Sequence, residues 1–130
     1  MLEIIHKSGP FGVLIVGLAI LNLGLVGWNL LELSSSSSSR NPALGTRINA
    51  VLFWGLIGAV LGILGQANGI YLGLSAILEA PAINPALVAE GFALSFLTTI
   101  EGFLLLFFSA LAWMALRSWY HRRRQPTAAA

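Results

Sequence analysis

The sequence predicts an all-α membrane protein of three transmembrane helices, and three observations carry that prediction. Of the 130 residues, 57% are apolar and only 9% are charged, whereas a soluble globular domain carries roughly 25% charged residues. Apart from Glu101, the charges avoid three long regions, about residues 10–31, 48–78 and 91–116. Each is at least as long as the ~20 residues a helix needs to cross a hydrocarbon core. A soluble helical bundle is disfavoured, because a helix with one wet face does not run for ~22 residues without Lys, Arg, Asp or Glu. The length fits a single domain.

Residues 1–9, MLEIIHKSG, read as a short amphiphilic lead-in, and Pro10 suits a first helical turn because its missing donor is not needed there. The first span is expected over residues 10–33. No small-x-small cleavage site precedes the polar loop that follows, so this segment reads as an uncleaved helix and not as a signal peptide. It holds Asn22 and Asn29, with Trp28 near its far end, where an indole suits the headgroup level. Residues 34–47 contain six consecutive serines, Arg40 and an Asn-Pro pair, the composition of a hydrophilic connector.

The second span, residues 48–78, is longer than a perpendicular crossing requires, so it must tilt or project. Gly55, Gly58, Gly62, Gly65, Gly69 and Gly73 nearly line one face, which predicts close helix packing, since lipid offers no hydrophobic drive between helices. A short loop with Pro81 and Pro85 makes spans two and three an antiparallel hairpin. The third span is expected over 86–119, ending in Trp113, Trp119 and Tyr120 at the interface, with a disordered basic tail over 121–130.

The arginines set an orientation. Arg40, Arg47, Arg117 and Arg122–Arg124 fall on one side of a three-span chain, which the positive-inside rule makes cytoplasmic, leaving the N-terminus outside. Beside a span end, Arg117, Arg122, Arg123 and Arg124 suit anionic lipid headgroups better than nucleic acid.

Polar residues inside apolar spans are expensive and point to a pathway, a partner or a packing contact. Glu90 and Glu101 are three turns apart on one face, about 16 Å in height. Counted inward from the outer loop, Gln66 and Glu101 reach similar depth, so Gln66 is expected to donate to the carboxyl. Thr98 and Thr99 would complete a polar track. Glu101, Thr99, Gln66, Thr98 and Glu90 are therefore the candidate ion-pathway residues; the plainer alternative is that Glu101 is a hydrogen-bonding group fixing helix register. Catalysis is not expected. Cysteine is absent, and the two histidines fall at opposite ends of the chain. No residue cluster predicts a metal or a cofactor.

Two motifs extend the reading. Gly62-Ile63-Leu64-Gly65-Gln66-Ala67-Asn68-Gly69 and the stretch from Pro85 through Gly102 resemble, in order and on the corresponding helices, the two core helices of the MotA/TolQ/ExbB proton-channel family. The resemblance implies a pentameric ring in the bacterial inner membrane, enclosing single-span partner helices with an intramembrane Asp. It implies proton flow past Thr99 and the position of Gln66, where the family carries threonine, and close packing at Gly102. It also marks departures. Leu94 stands where some members carry glutamate, Glu101 stands where a small or apolar residue is usual, and the family's large cytoplasmic extension has no counterpart. The alternative function is a ring-forming scaffold that does not conduct.

Overall fold

The computed structural model describes residues 9–35, 43–79 and 84–124. They form three α-helices: α1 (Gly9–Ser34), α2 (Ala43–Glu79) and α3 (Pro85–Arg124). All three are long and apolar enough to cross a membrane. Large apolar side chains such as Leu23, Leu31, Phe53, Leu56, Phe107 and Phe108 cover their outer surfaces. A bundle that turns such side chains outward on all three helices is a multi-pass membrane protein.

The start of α3 shows how the sequence writes a helix end. The Asn84 side-chain oxygen accepts from the Ala86 N–H at 3.0 Å, and its carbonyl accepts from the Val88 N–H at 3.3 Å. Asn84 is thus the N-cap, and Pro85 fills the first helical position.

Two helices outrun their expected spans. The α2 helix begins at Ala43, inside the stretch read as connector, because Leu44 continues the apolar stripe of Ile48 and Val51 one turn earlier. These three close on Leu33 and Leu116 in a core at the basic end of the bundle. The α3 helix continues through Arg124, so the part of the expected tail at 121–124 is helical. Tyr120 anchors that last stretch by lying against Gly45, with ring atoms 3.8 Å from where a Cβ there would stand. The lead-in at 1–8, residues 36–42, residues 80–83 and residues 125–130 lie outside the described residues.

The principal contact is between α2 and α3. It runs through positions 55, 58, 62, 65 and 69 of α2 and positions 95, 98, 102, 105 and 109 of α3, both alternating steps of three and four. That is the 3.5-residue period of a left-handed crossing. Glycine is required where backbone meets backbone: a Cβ on Gly62 would stand 2.7 Å from the Thr98 carbonyl oxygen, and one on Gly102 would stand 2.6 Å from that of Gly58. The expected glycine face is therefore corrected in one place. The seam runs from Gly55 to Gly69 as expected but ends before Gly73, where an added Cβ would meet nothing within 4 Å. Beyond Gly69 the two helices part, and Gly73, Ile77, Leu87 and Gly91 border a cleft of about 260 Å³.

The α1 helix lies in the groove on one side of this hairpin. Near its start, Phe11 touches Gly65. Halfway along, the Asn22 side chain donates to the Val51 carbonyl at 2.9 Å.

Candidate functional site

The polar groups gather on one turn of α3. Thr98 is buried, at 3% exposure, and points into the seam. From Thr98, Thr99 lies about 100° round the helix in one direction and Glu101 about 60° in the other. The seam therefore separates them. Glu101 lines the groove that α1 covers, together with Ile15, Asn22, Leu105 and Ser109. Thr99 lies on the opposite flank of the hairpin, away from α1.

Gln66 lies on that same distal flank. The Thr99 hydroxyl stands 2.5 Å from the Gln66 side-chain oxygen and 3.1 Å from the Gly62 carbonyl oxygen, with one proton to donate between them. The Thr98 hydroxyl approaches the same Gly62 carbonyl at 3.3 Å and the Ser95 carbonyl at 2.9 Å. A continuous polar line thus runs from Gln66 through Thr99 and the Gly62 carbonyl to Thr98, ending within one turn of Glu101. The expected contact of Gln66 with Glu101 is not made, because the closest-packed part of the seam lies between them.

Depth distinguishes the two glutamates. Glu101 stands sixteen residues before Arg117, about 24 Å along the helix axis. With Arg117 at one edge of a ~30 Å hydrocarbon core, Glu101 falls inside it. Glu90, eleven residues farther out, falls about 40 Å from Arg117 and is exposed. It shares a face with Glu101 but not its surroundings. The Glu101 carboxyl has Oε2 sealed from solvent within the α1 groove.

Of the packing glycines, Gly58, Gly62, Gly65, Gly69 and Gly102 lie in the seam and Gly73 lies outside it. Arg117 and Arg122 are exposed at the basic end of α3, and the helix carries positions 123 and 124 there as well. Two buried polar residues add to the sequence-derived set. Asn22 (3% exposed) ties α1 to α2, and Ser109 (2% exposed) closes the groove below Glu101 while its hydroxyl donates to the Leu105 carbonyl at 2.6 Å. Asn22 carried a signal, an amide in the middle of an apolar span, but its sequence distance from the hairpin concealed the partner. Among the described residues no group of three His, Cys, Asp or Glu gathers in space.

These features define a class: a small multi-pass membrane bundle, suited to packing against further helices. No family model, curated protein or solved structure matches the chain.

Proposed function

We propose that the chain is a proton-channel-like subunit of an inner-membrane assembly, in which several copies turn the α1-distal flank of the α2–α3 hairpin toward a shared space. The observation that supports this reading is the Gln66–Thr99 pair, two polar side chains joined on the outer flank of an apolar hairpin. Left against lipid tails such a pair is unfavourable, and a polar surface opposite relieves that cost. The hydroxyl and carbonyl line behind it leads toward Glu101, the carboxyl inside the span. In this account Glu101 holds and releases the proton, while Thr98, Thr99 and Gln66 form the polar passage to the shared space.

The resemblance supplies the remaining parts of the proposal: a ring of five copies, a single-span partner with an intramembrane Asp, and a cytoplasmic basic end. A second reading, a ring-forming scaffold that does not conduct, has its own supporting observation. The Thr98 and Thr99 hydroxyls both reach the Gly62 carbonyl, as they would if they served only to hold the hairpin together.

The test of the flank is chemical access. In the purified assembly, Gln66→Cys should react with a small water-soluble thiol reagent. Leu64→Cys, two residues away and nearly opposite on the helix, should be protected by lipid or detergent. Equal reactivity at both positions, or none at either, would overturn the placement of this flank on a wet shared space.

A further inference from the structure

The basic end of the bundle carries more positive charge than the chain itself balances. There are five carboxyl side chains in all. Glu3 precedes α1, Glu79 ends α2 and Glu90 lies in the second turn of α3 at the opposite end of the hairpin, and Glu101 lies within the span, so Glu32 is the one at the basic end. Glu32 already accepts from Arg47 at 2.8 Å. Among the described residues, Arg117 has no carboxylate partner.

Arg117 is nevertheless held in place. Its guanidinium carbon stands 4.9 Å from the centre of the Trp113 ring, within the range of a cation–π contact. The Trp113 indole N–H in turn donates to the Asn49 side-chain oxygen at 3.0 Å. An amide on α2 thus fixes an indole on α3, and the indole supports the guanidinium. Arg117 borders a cleft of about 290 Å³ between the start of α2 and the end of α3, which Thr46, Asn49, Tyr120 and His121 also line. The lining offers a guanidinium, hydroxyls and an imidazole, and no carboxylate. Such a set receives an oxyanion, and the planar fork of an arginine matches phosphate oxygens two at a time. The cleft lies at the level of Trp113 and Trp119, where indoles mark the boundary between hydrocarbon and headgroups.

We infer that this cleft is a site for a phosphate-bearing anion, supplied in the membrane by the headgroup of an anionic phospholipid. The site is local, unlike a general attraction of the arginine run for a charged surface. It is also independent of proton conduction and stands or falls separately from it.

Binding of phosphatidylglycerol, phosphatidylcholine and inorganic phosphate to the purified protein in neutral detergent, followed by native mass spectrometry, tests the inference. Phosphatidylglycerol should bind in preference to phosphatidylcholine. Arg117→Gln, at an exposed position where folding is not at stake, should weaken phosphatidylglycerol by about tenfold, the effect of one charged hydrogen-bonding partner. Arg117→Lys should fall between the two. Trp113→Phe keeps a ring under the guanidinium but loses the link to Asn49, and it should weaken binding by a smaller factor. Arg122→Gln removes the same charge outside the cleft lining and should change affinity by less than about twofold. The site is overturned if Arg117→Gln binds like wild type, if Arg122→Gln loses as much as Arg117→Gln, or if phosphatidylcholine binds equally well. Arg117-dependent binding of inorganic phosphate at the same concentration would assign the cleft to a free anion and overturn the headgroup as its source.

Discussion

The two sides of α3 are built on opposite plans. Toward α2 the helix presents Ser95, Thr98, Gly102 and Ser109 to a row of glycines, and the backbones approach until Cβ atoms no longer fit. Toward α1 it presents Glu101, Leu104, Leu105 and Phe108, and a cleft of about 520 Å³ remains between the helices. In a membrane, where lipid tails are as apolar as leucine, close van der Waals contact and interhelical hydrogen bonds supply the attraction between helices. The first side therefore fixes the α2–α3 hairpin as one unit. The second leaves the Glu101 carboxyl lining that cleft. Close backbone packing and the buried carboxyl are separated across the width of a single helix.

Substitutions can break that contrast, and the largest effect is expected at the seam. Gly62→Leu places a branched side chain against the Thr98 carbonyl, and the neighbouring backbone has no room to yield. The loss should reach at least the upper end of the ~1–3 kcal/mol seen for overpacked sites. Thermal unfolding in detergent should show a large drop. Unchanged melting would mean that the helices do not meet there.

A smaller effect is expected at Glu101. Glu101→Leu should lower stability by about 0.6–1.7 kcal/mol if the carboxyl serves a hydrogen bond within the membrane, and Glu101→Gln should restore most of that loss. Equal damage by both in the same melting assay would show that the charge, not the hydrogen bond, holds the groove. Next comes Asn22→Leu, which deletes the buried side-chain hydrogen bond between α1 and α2 and leaves the exposed Glu32–Arg47 pair in place. A typical intramembrane hydrogen bond is worth about 0.6 kcal/mol, so the variant should melt only slightly earlier. Disulfide trapping between cysteines placed on α1 and α2 should nevertheless slow measurably. Trapping at the wild-type rate would show that Phe11 and the basic-end core suffice to seat α1.

The smallest change is expected at Gly73, where an added methyl meets open space. Gly73→Ala should be neutral or stabilising by up to ~1 kcal/mol, the ordinary helix-propensity gain over glycine. Gly62→Ala, the same chemical change in the seam, should destabilise. Equal behaviour of the two in thermal melts would erase the distinction between seam and cleft.

Much of this arrangement is legible in the sequence. The gaps between charges place three spans, the short proline-containing loop makes the last two a hairpin, and the glycine spacing marks the face that meets another helix. The helix ends are less legible. Leu44 and Tyr120 extend α2 and α3 through contacts with residues far away in the chain, and local polarity conceals those contacts. The candidate site shows a sharper limit. Helical periodicity correctly puts Thr98, Thr99 and Glu101 on one turn at known relative angles. It does not say which flank a third helix will cover. Only the position of α1 decides that Glu101 faces a groove and Thr99 the outside, and α1 is placed by Phe11, Asn22 and Leu33, none of which belongs to the hairpin pattern. The same reasoning explains Gly73, whose spacing fits the row but whose partner helix has already turned away.

The central claim is that a proton is held at Glu101 and passes along the polar line to the distal flank. Its most direct test is dissipation of an imposed pH gradient in liposomes containing the purified assembly with any partner that accompanies it, comparing wild type with Glu101→Gln at matched incorporation. Glutamine keeps the size and hydrogen-bonding capacity of the side chain and removes its exchangeable acid proton. The account predicts normal assembly and loss of proton flux in the variant. Proton flux equal to that of wild type would contradict it and leave Glu101 as a fastening between α1 and α3.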